Sequence, residues 1–270
     1  VITKTEARLW TDGRYFIQAA KQLEGSTVEL MKMGEPGVPE MNAYIEKVLQ
    51  AGETLGFDGR VVSVGEGQGY ADIAAKKDAH VNYQEDLIDE IWSDRPAMSE
   101  EPAFDLDVKY AGETVADKLA RIRKEMKDAG ANTHVMTTLD DICWMLNIRG
   151  NDIDFFPMVL SYAIVTIDGV ELYIDERKLD DALKAKLAAD GVKLHPYNDI
   201  YEDVKKFTED TVVMVDPGKL NYAIFNNIPE NVKTIEQRNP AILMKAKKNP
   251  VEIENIRKAQ IKDSVAHVRF

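Results

Sequence analysis

The sequence predicts an α/β protein built from two similar blocks. Three observations carry this. Strand-like and helix-like segments alternate, a segment near the start lines up with one further on, and a stretch rich in Pro, Asp and Glu from Ser93 to Glu113 separates the blocks. In the repeat, ARLWTDGRYF (7–16) aligns with VELYIDERKL (170–179), pairing Leu9 with Leu172, Trp10 with Tyr173, Asp12 with Asp175 and Arg14 with Arg177 at an offset of 163. Further on, LGFDG (55–59) aligns with VMVDP (213–217), each an apolar strand ending in Asp58 or Asp216 at a turn. At that offset the counterpart of Thr114, where the second block opens, falls before Val1, so the first block is expected to lack its opening helix and strands.

The second block reads clearly. Thr114 to Gly130 is an amphipathic helix with Val115, Leu119, Ile122 and Met126 at helical spacing and Gly130 as its stop. His134 to Met136 begins a short strand, and Thr138 with Asp141 three residues later predicts a capping box opening a short helix through Ile142, Met145 and Leu146. Strands Val159–Ile167 and Val170–Ile174 flank Asp168-Gly169, a strong hairpin dipeptide. Next come a helix from Arg177 to Asp190, a strand near Val192, a helix near Tyr201 to Phe207, the strand Val212–Val215 and a helix near Lys219 to Asn226. In the first block, a strand ending in Leu9-Trp10 turns at Asp12-Gly13 into a helix carrying Tyr15, Ile17, Ala20 and Leu23. From Asn249-Pro250, a cap followed by proline at the first helical position, an apolar pattern of Ile253, Ile256, Ile261, Val265 and Val268 runs to Phe270 with no stop signal. Such a helix is expected to pack on something further.

Composition narrows the function classes. The 270 residues carry 47 acidic and 34 basic side chains, a formal net charge of −13, with 44% apolar residues. That balance describes a chain able to bury a real core, and it disfavours nucleic acid, whose phosphates need a basic surface. The mostly apolar run Met158–Ile167 is far shorter than the ~20 residues a membrane-spanning helix needs. A single cysteine, Cys143, no glycosylation sequon and no apolar leader fit a reducing cytoplasm.

Most candidate chemistry has a plainer explanation. GEGQGY (65–70) places Tyr70 where a dinucleotide fingerprint needs its third glycine, so no Rossmann site is expected. His80, His134, His195 and His267 are far apart, none at zinc-ligand spacing, and each reads as a surface or structural histidine. Cys143, between Ile142 and Trp144, reads as core, and Asp140 and Asp141 are explained by the first turn of a helix. Arg14 stands out. At the edge of a sheet it could clamp a carboxylate or peptide carbonyl, or it could pair structurally with Asp12, which residue chemistry alone favours.

The segments WTDGRYFIQAAKQL (10–23), LMKMGEPG (30–37), GFDGRVVS (56–63), DLIDEIWSDRP (86–96), LDDICWMLNIRGNDI (139–153), PMVLSYAIV (157–165) and KNPVEIENIRKAQIKDSVAHVRF (248–270) resemble the three-domain aminopeptidase P family of the creatinase and pita-bread superfamily. The resemblance runs almost end to end. It implies two creatinase-N-like domains, each a mixed sheet flanked by helices, with domain I incomplete over 1–98, domain II over 99–248 and the first helix of a catalytic domain over 249–270. It further implies an enzyme that releases the residue preceding proline from short peptides. Two divalent metals, usually manganese, would be held in a catalytic domain beyond Phe270, with none in this chain and no catalytic residue here. By the same resemblance Arg14 contacts the peptide, and the N-terminal domains restrict access and support a homodimer. Trp144, Asn147 and Arg149 carry no role from the motifs. A free-standing binding or dimerisation module is the alternative, and a prolidase or creatine hydrolase is disfavoured because those relatives usually carry one such domain.

Overall fold

Short β-branched runs and amphipathic segments resolve into twelve strands and twelve α-helices over residues 1–270 in a computed structural model. Two compact units form: Val1–Asp58 with Gly65–Glu85, and Gly59–Val64 with Asp86–Phe270.

Unit 1 contains β1 (Ala7–Thr11), α1 (Phe16–Gln22), β2 (Val28–Lys32), α2 (Met41–Val48), β3 (Thr54–Gly56), most of α3 (Val64–Lys76) and β4 (His80–Asn82). Its strands form two separate parallel pairs, β1 on β2 with Leu9 opposite Leu30, and β3 on β4 with Leu55 opposite Val81. Ile45, Leu49, Ile73 and Ala74 make its small core. The expected face of α1 is corrected here. Tyr15 and Ile17 are exposed, and the helix buries Ala19 instead, with Phe16 and Leu23 half-buried at i−3 and i+4. The glycine-rich run 65–70 lies inside α3, away from any strand-to-helix phosphate turn.

Unit 2 continues with α4 (Leu87–Ile91), β5 (Phe104–Asp105), α5 (Val108–Ala111), α6 (Val115–Asp128), β6 (Thr133–Met136), α7 (Leu139–Leu146) and β7 (Ile148–Arg149). Then follow β8 (Ser161–Thr166), β9 (Val170–Ile174), α8 (Asp181–Ala189), β10 (Val192–His195), α9 (Ile200–Asp203) and β11 (Val212–Val215). It closes with α10 (Tyr222–Asn227), β12 (Lys233–Glu236), α11 (Pro240–Ala246) and α12 (Pro250–Arg269). A six-stranded mixed sheet in the order β10-β9-β8-β6-β11-β12 is parallel except for β8, which runs against both neighbours.

Alternation along these strands sorts side chains into two cores, as the pleat requires. Ala163, Val165, Leu172 and Met136 face α6, α7 and α8, whereas Ile164, Tyr173, Val135 and Val213 face α9 and α10. α6 is as the spacing predicts: Thr114 Oγ1 accepts from Asp117 N, Gly130 takes φ +79°, and Val115, Leu119, Ile122 and Met126 are buried. The capping box at Thr138 does not form. Its hydroxyl donates to Asp141 Oδ2 at 2.5 Å and makes no side-chain cap bond, because Asp141 is turned inward to Lys245 Nζ (2.7 Å) and Asn239 Nδ2 (2.9 Å). The expected helix over 177–190 begins later, at Asp181, after a 3₁₀ turn at Glu176–Lys178.

The repeat is visible atom by atom. In unit 2, Thr166 N and Oγ1 donate to Gly169 O at 3.0 and 3.3 Å, and Gly169 N donates to Thr166 Oγ1 at 3.0 Å. In unit 1, Thr3 N and Oγ1 donate to Glu6 O at 2.8 and 3.3 Å, and Glu6 N donates to Thr3 Oγ1 at 3.0 Å. The offset is again 163, so Val1–Thr3 repeats the last three residues of β8 and β1 repeats β9, while β2, β3 and β4 follow in the same order as β10, β11 and β12, the last two at shorter offsets.

Candidate functional site

β1 ends at Thr11, and the chain then turns so that Arg14 folds back on Asp12. Arg14 N and Nε donate to Asp12 Oδ1 at 3.0 and 2.9 Å, and Nη2 donates to Oδ2 at 2.8 Å. This bidentate fork draws the Asp12 carboxyl down to about 2, with the hydrogen bonds from Arg14 the main cause, and raises the Arg14 guanidinium through the same pairing. Both groups are ionised at any physiological pH. Nη1 makes no hydrogen bond, and the side chain is 79% exposed. The structural pairing with Asp12 and a free donor edge therefore coexist on one guanidinium.

Unit 2 repeats the device at the end of β9. Arg177 N and Nε donate to Asp175 Oδ1 at 3.0 Å, and Nη2 donates to Oδ2 at 2.6 Å. The difference lies at Nη1. There Arg177 meets Glu100 Oε1 at 2.7 Å, a carboxylate from the acidic stretch between the blocks. The edge that is open in Arg14 is occupied in Arg177.

A second polar cluster surrounds the turn after α7, to which the motifs assign no role. Asn147 caps the helix at φ +51°, a left-handed conformation Asn tolerates better than most residues. Beneath it Lys118, 1% exposed, donates to Trp144 O (2.8 Å) and Asn147 Oδ1 (2.6 Å) with its ammonium 4.7 Å from the Trp144 ring centroid. Arg149 Nη1 donates to Cys143 O and Ile148 O at 2.9 and 2.8 Å. These bonds hold the end of α7 in place. A signal for Lys118 exists in the sequence: it sits three residues after Val115 and four before Ile122, inside the apolar stripe of α6.

Burial pulls Lys118 down to about 8, outweighing the nearby Glu113 and Glu252 carboxylates. The folded group therefore sheds its proton where the unfolded chain keeps it, so its contribution to stability rises with pH from about 8 toward the ordinary lysine value. NMR titration of the Lys118 ε-methylene should have a midpoint near 8, and a midpoint above 10 would contradict this environment.

The remaining sequence candidates are structural. Cys143 is fully buried. His134, also fully buried, faces Met214 O (3.0 Å) and Asn239 Oδ1 (3.2 Å), and burial lowers its pKa. His195 pairs with Glu171 at 2.5 Å, His80 is exposed, and His267 lies on exposed α12. Asp140 and Asp141 both pair with Lys245, so they serve the docking of α11 rather than a metal. No group of three or more His, Cys, Asp or Glu side chains could hold a metal ion, so these residues do not fit a two-metal centre. No helix is long and apolar enough to cross a membrane.

Fold and site thus define a tandem α/β protein with a forked Asp-x-Arg turn closing one strand of each unit. Creatinase/prolidase N-terminal domain profiles match residues 1–91 and 94–252. A probable Xaa-Pro aminopeptidase P from Coprinopsis cinerea is 36% identical over 288 residues, covering 100% of this chain and 46% of the relative. The Xaa-Pro aminopeptidase app-1 of Caenorhabditis elegans is 33% identical, covering 100% of this chain and 45% of the relative. The crystal structure of X-prolyl aminopeptidase from Caenorhabditis elegans, described as a cytosolic enzyme with a di-nuclear active site, superposes with a TM-score of 0.93 at 33% identity over 99% of this chain and 45% of that one. The chain thus spans under half the length of these relatives. It belongs to the creatinase/prolidase N-terminal domain family.

Proposed function

We propose that this chain is the N-terminal, non-catalytic part of a metal-dependent Xaa-Pro aminopeptidase, a cytoplasmic homodimer that releases the first residue of peptides with proline in second position. Residues 1–98 are its domain I, 99–248 its domain II and 249–270 the first helix of its catalytic domain. The reading rests on similarity to Xaa-Pro aminopeptidases that runs through the whole chain. The two divalent ions, manganese in this reading, belong to the catalytic domain, where they would supply a hydroxide nucleophile and polarise the scissile carbonyl.

The role of this chain is to limit access and hold the peptide. Arg14 does the holding: Asp12 fixes the guanidinium plane at little entropic cost, and Nη1 is left to take a peptide carbonyl or carboxylate. The Glu100 carboxylate on Arg177 supports this chemistry by occupying the same edge in the other unit.

In the complete enzyme, Arg14→Ala should lower kcat/KM on Xaa-Pro peptides roughly ten- to a hundredfold, the worth of one charge-assisted hydrogen bond. Arg14→Lys should recover little, because lysine cannot fork on Asp12. Unchanged kinetics would remove the role. The native protein in its source cells should run well above the 30.4 kDa of this chain, whereas a species of that mass would make it a free-standing module.

A further inference from the structure

A peptide offers Arg14 Nη1 either a neutral carbonyl or a charged carboxylate, and the two units together separate these. In unit 2 the same fork carries a second carboxylate. Arg177 holds Asp175 through Nε and Nη2 and still takes Glu100 Oε1 on Nη1 at 2.7 Å. The turn thus accommodates two anions on one guanidinium. The fork in unit 1 matches it bond for bond, with Nε and Nη2 on Asp12 at 2.9 and 2.8 Å.

Charge favours the carboxylate in unit 1 as well. Asp12 already balances Arg14, so a further anion gains from another cation nearby. β1 and β2 run parallel with Thr11 opposite Lys32, so Lys32 ends β2 beside the turn. It is exposed, with its ammonium 5.7 Å from the ring centroid of Phe16, two residues after Arg14. The carboxyl ends of parallel strands are where α/β sheets gather ligands. Lys32 adds an attraction there that a neutral carbonyl does not feel.

We propose that Arg14 receives the C-terminal carboxylate of the peptide, so that unit 1 measures substrate length. The inference rests on the reading of Arg14 given above and adds the identity of the group it binds. An acidic side chain would restrict substrates to particular sequences, whereas every linear peptide ends in a carboxylate. Asp12 holds the guanidinium plane, so the carboxylate must arrive at a fixed place. Each residue of an extended peptide moves its end by about 3.4 Å, more than a hydrogen bond tolerates, so peptides one residue too long or too short miss it.

The test is steady-state kinetics of the complete enzyme on Ala-Pro followed by one, two or three alanines, each peptide as the free acid and as the C-terminal amide. At one length the acid should exceed the amide in kcat/KM by about five- to twentyfold, the difference between a charge-assisted and a neutral hydrogen bond. At the other lengths the two should agree within about twofold. At the favoured length Arg14→Ala should cost roughly ten- to a hundredfold on the acid and only about two- to fivefold on the amide. Arg14→Gln, which keeps a neutral donor, should turn over acid and amide equally, and a retained preference for the acid would overturn the proposal. Equal turnover of acid and amide at every length by the unaltered enzyme would overturn it without any variant. An equal loss on acid and amide in Arg14→Ala would also overturn it while leaving Arg14 as a holder of the peptide. No loss on either would remove that role too.

Discussion

Lys178→Met is expected to destabilise unit 2 by about 3–5 kcal/mol, the cost of leaving a buried charge without its partner. Lys178 Nζ meets Asp152 Oδ2 at 2.7 Å with side chains 1% and 0% exposed. The same oxygen accepts from Leu160 N at 2.6 Å, while Oδ1 has no hydrogen-bond partner at all. Removing the ammonium would therefore strand a carboxylate that already lacks one of its bonds. Thermal unfolding of the transition belonging to unit 2 should fall by on the order of 10 °C. Adding Asp152→Asn should restore most of the loss, since the amide still accepts from Leu160 N and carries no charge. If the double variant melts no higher than the single one, the pair is not the cause.

Gly112→Ala should cost about 2–3 kcal/mol and release α12. Gly112 closes α5 at φ +70°, where a side chain costs ~1 kcal/mol of strain. An added Cβ would also lie 2.3 Å from Asn249 Oδ1. That oxygen accepts from Glu252 N at 2.9 Å in the capping box that begins α12, and Asn249 Nδ2 donates to Ala111 O at 2.8 Å. Losing the cap adds ~1 kcal/mol. Gly130→Ala is the control, with φ +79° and nothing within 4 Å of where its Cβ would lie, so it should show only the strain. Hydrogen exchange of residues 250–256 should accelerate in the first variant and not in the second. Equal behaviour would mean that the contact with Asn249 does not hold the helix.

These two features mark where the sequence stops being readable. Periodicity finds α6, the Asp168-Gly169 hairpin and the start of α12, because each depends on residues within one or two turns of each other. The duplication is legible too, since Asp12 and Asp175 repeat a local turn. Asp152 and Lys178 pair across 26 positions, and Asn239 reaches Asp141 across 98, so nothing local announces them. The same physics misleads at Thr138, where Asp141 has the spacing of a capping residue and is claimed by Lys245 from α11. At Arg14 the fork with Asp12 follows from the motif, but that its counterpart would be closed by Glu100 depends on how the acidic stretch folds back.

The clamp at the start of α12 acts as the pivot of a lever. At 1.5 Å per residue its 20 residues reach ~30 Å, and they are held at the near end by Asn249 on Ala111 O and Asn255 Nδ2 on Lys109 O at 3.2 Å. Each degree of tilt at that pivot displaces the far end by roughly 0.5 Å over such a length. Two asparagine side chains on the last carbonyls of a four-residue helix thus set the direction in which all of α12 runs.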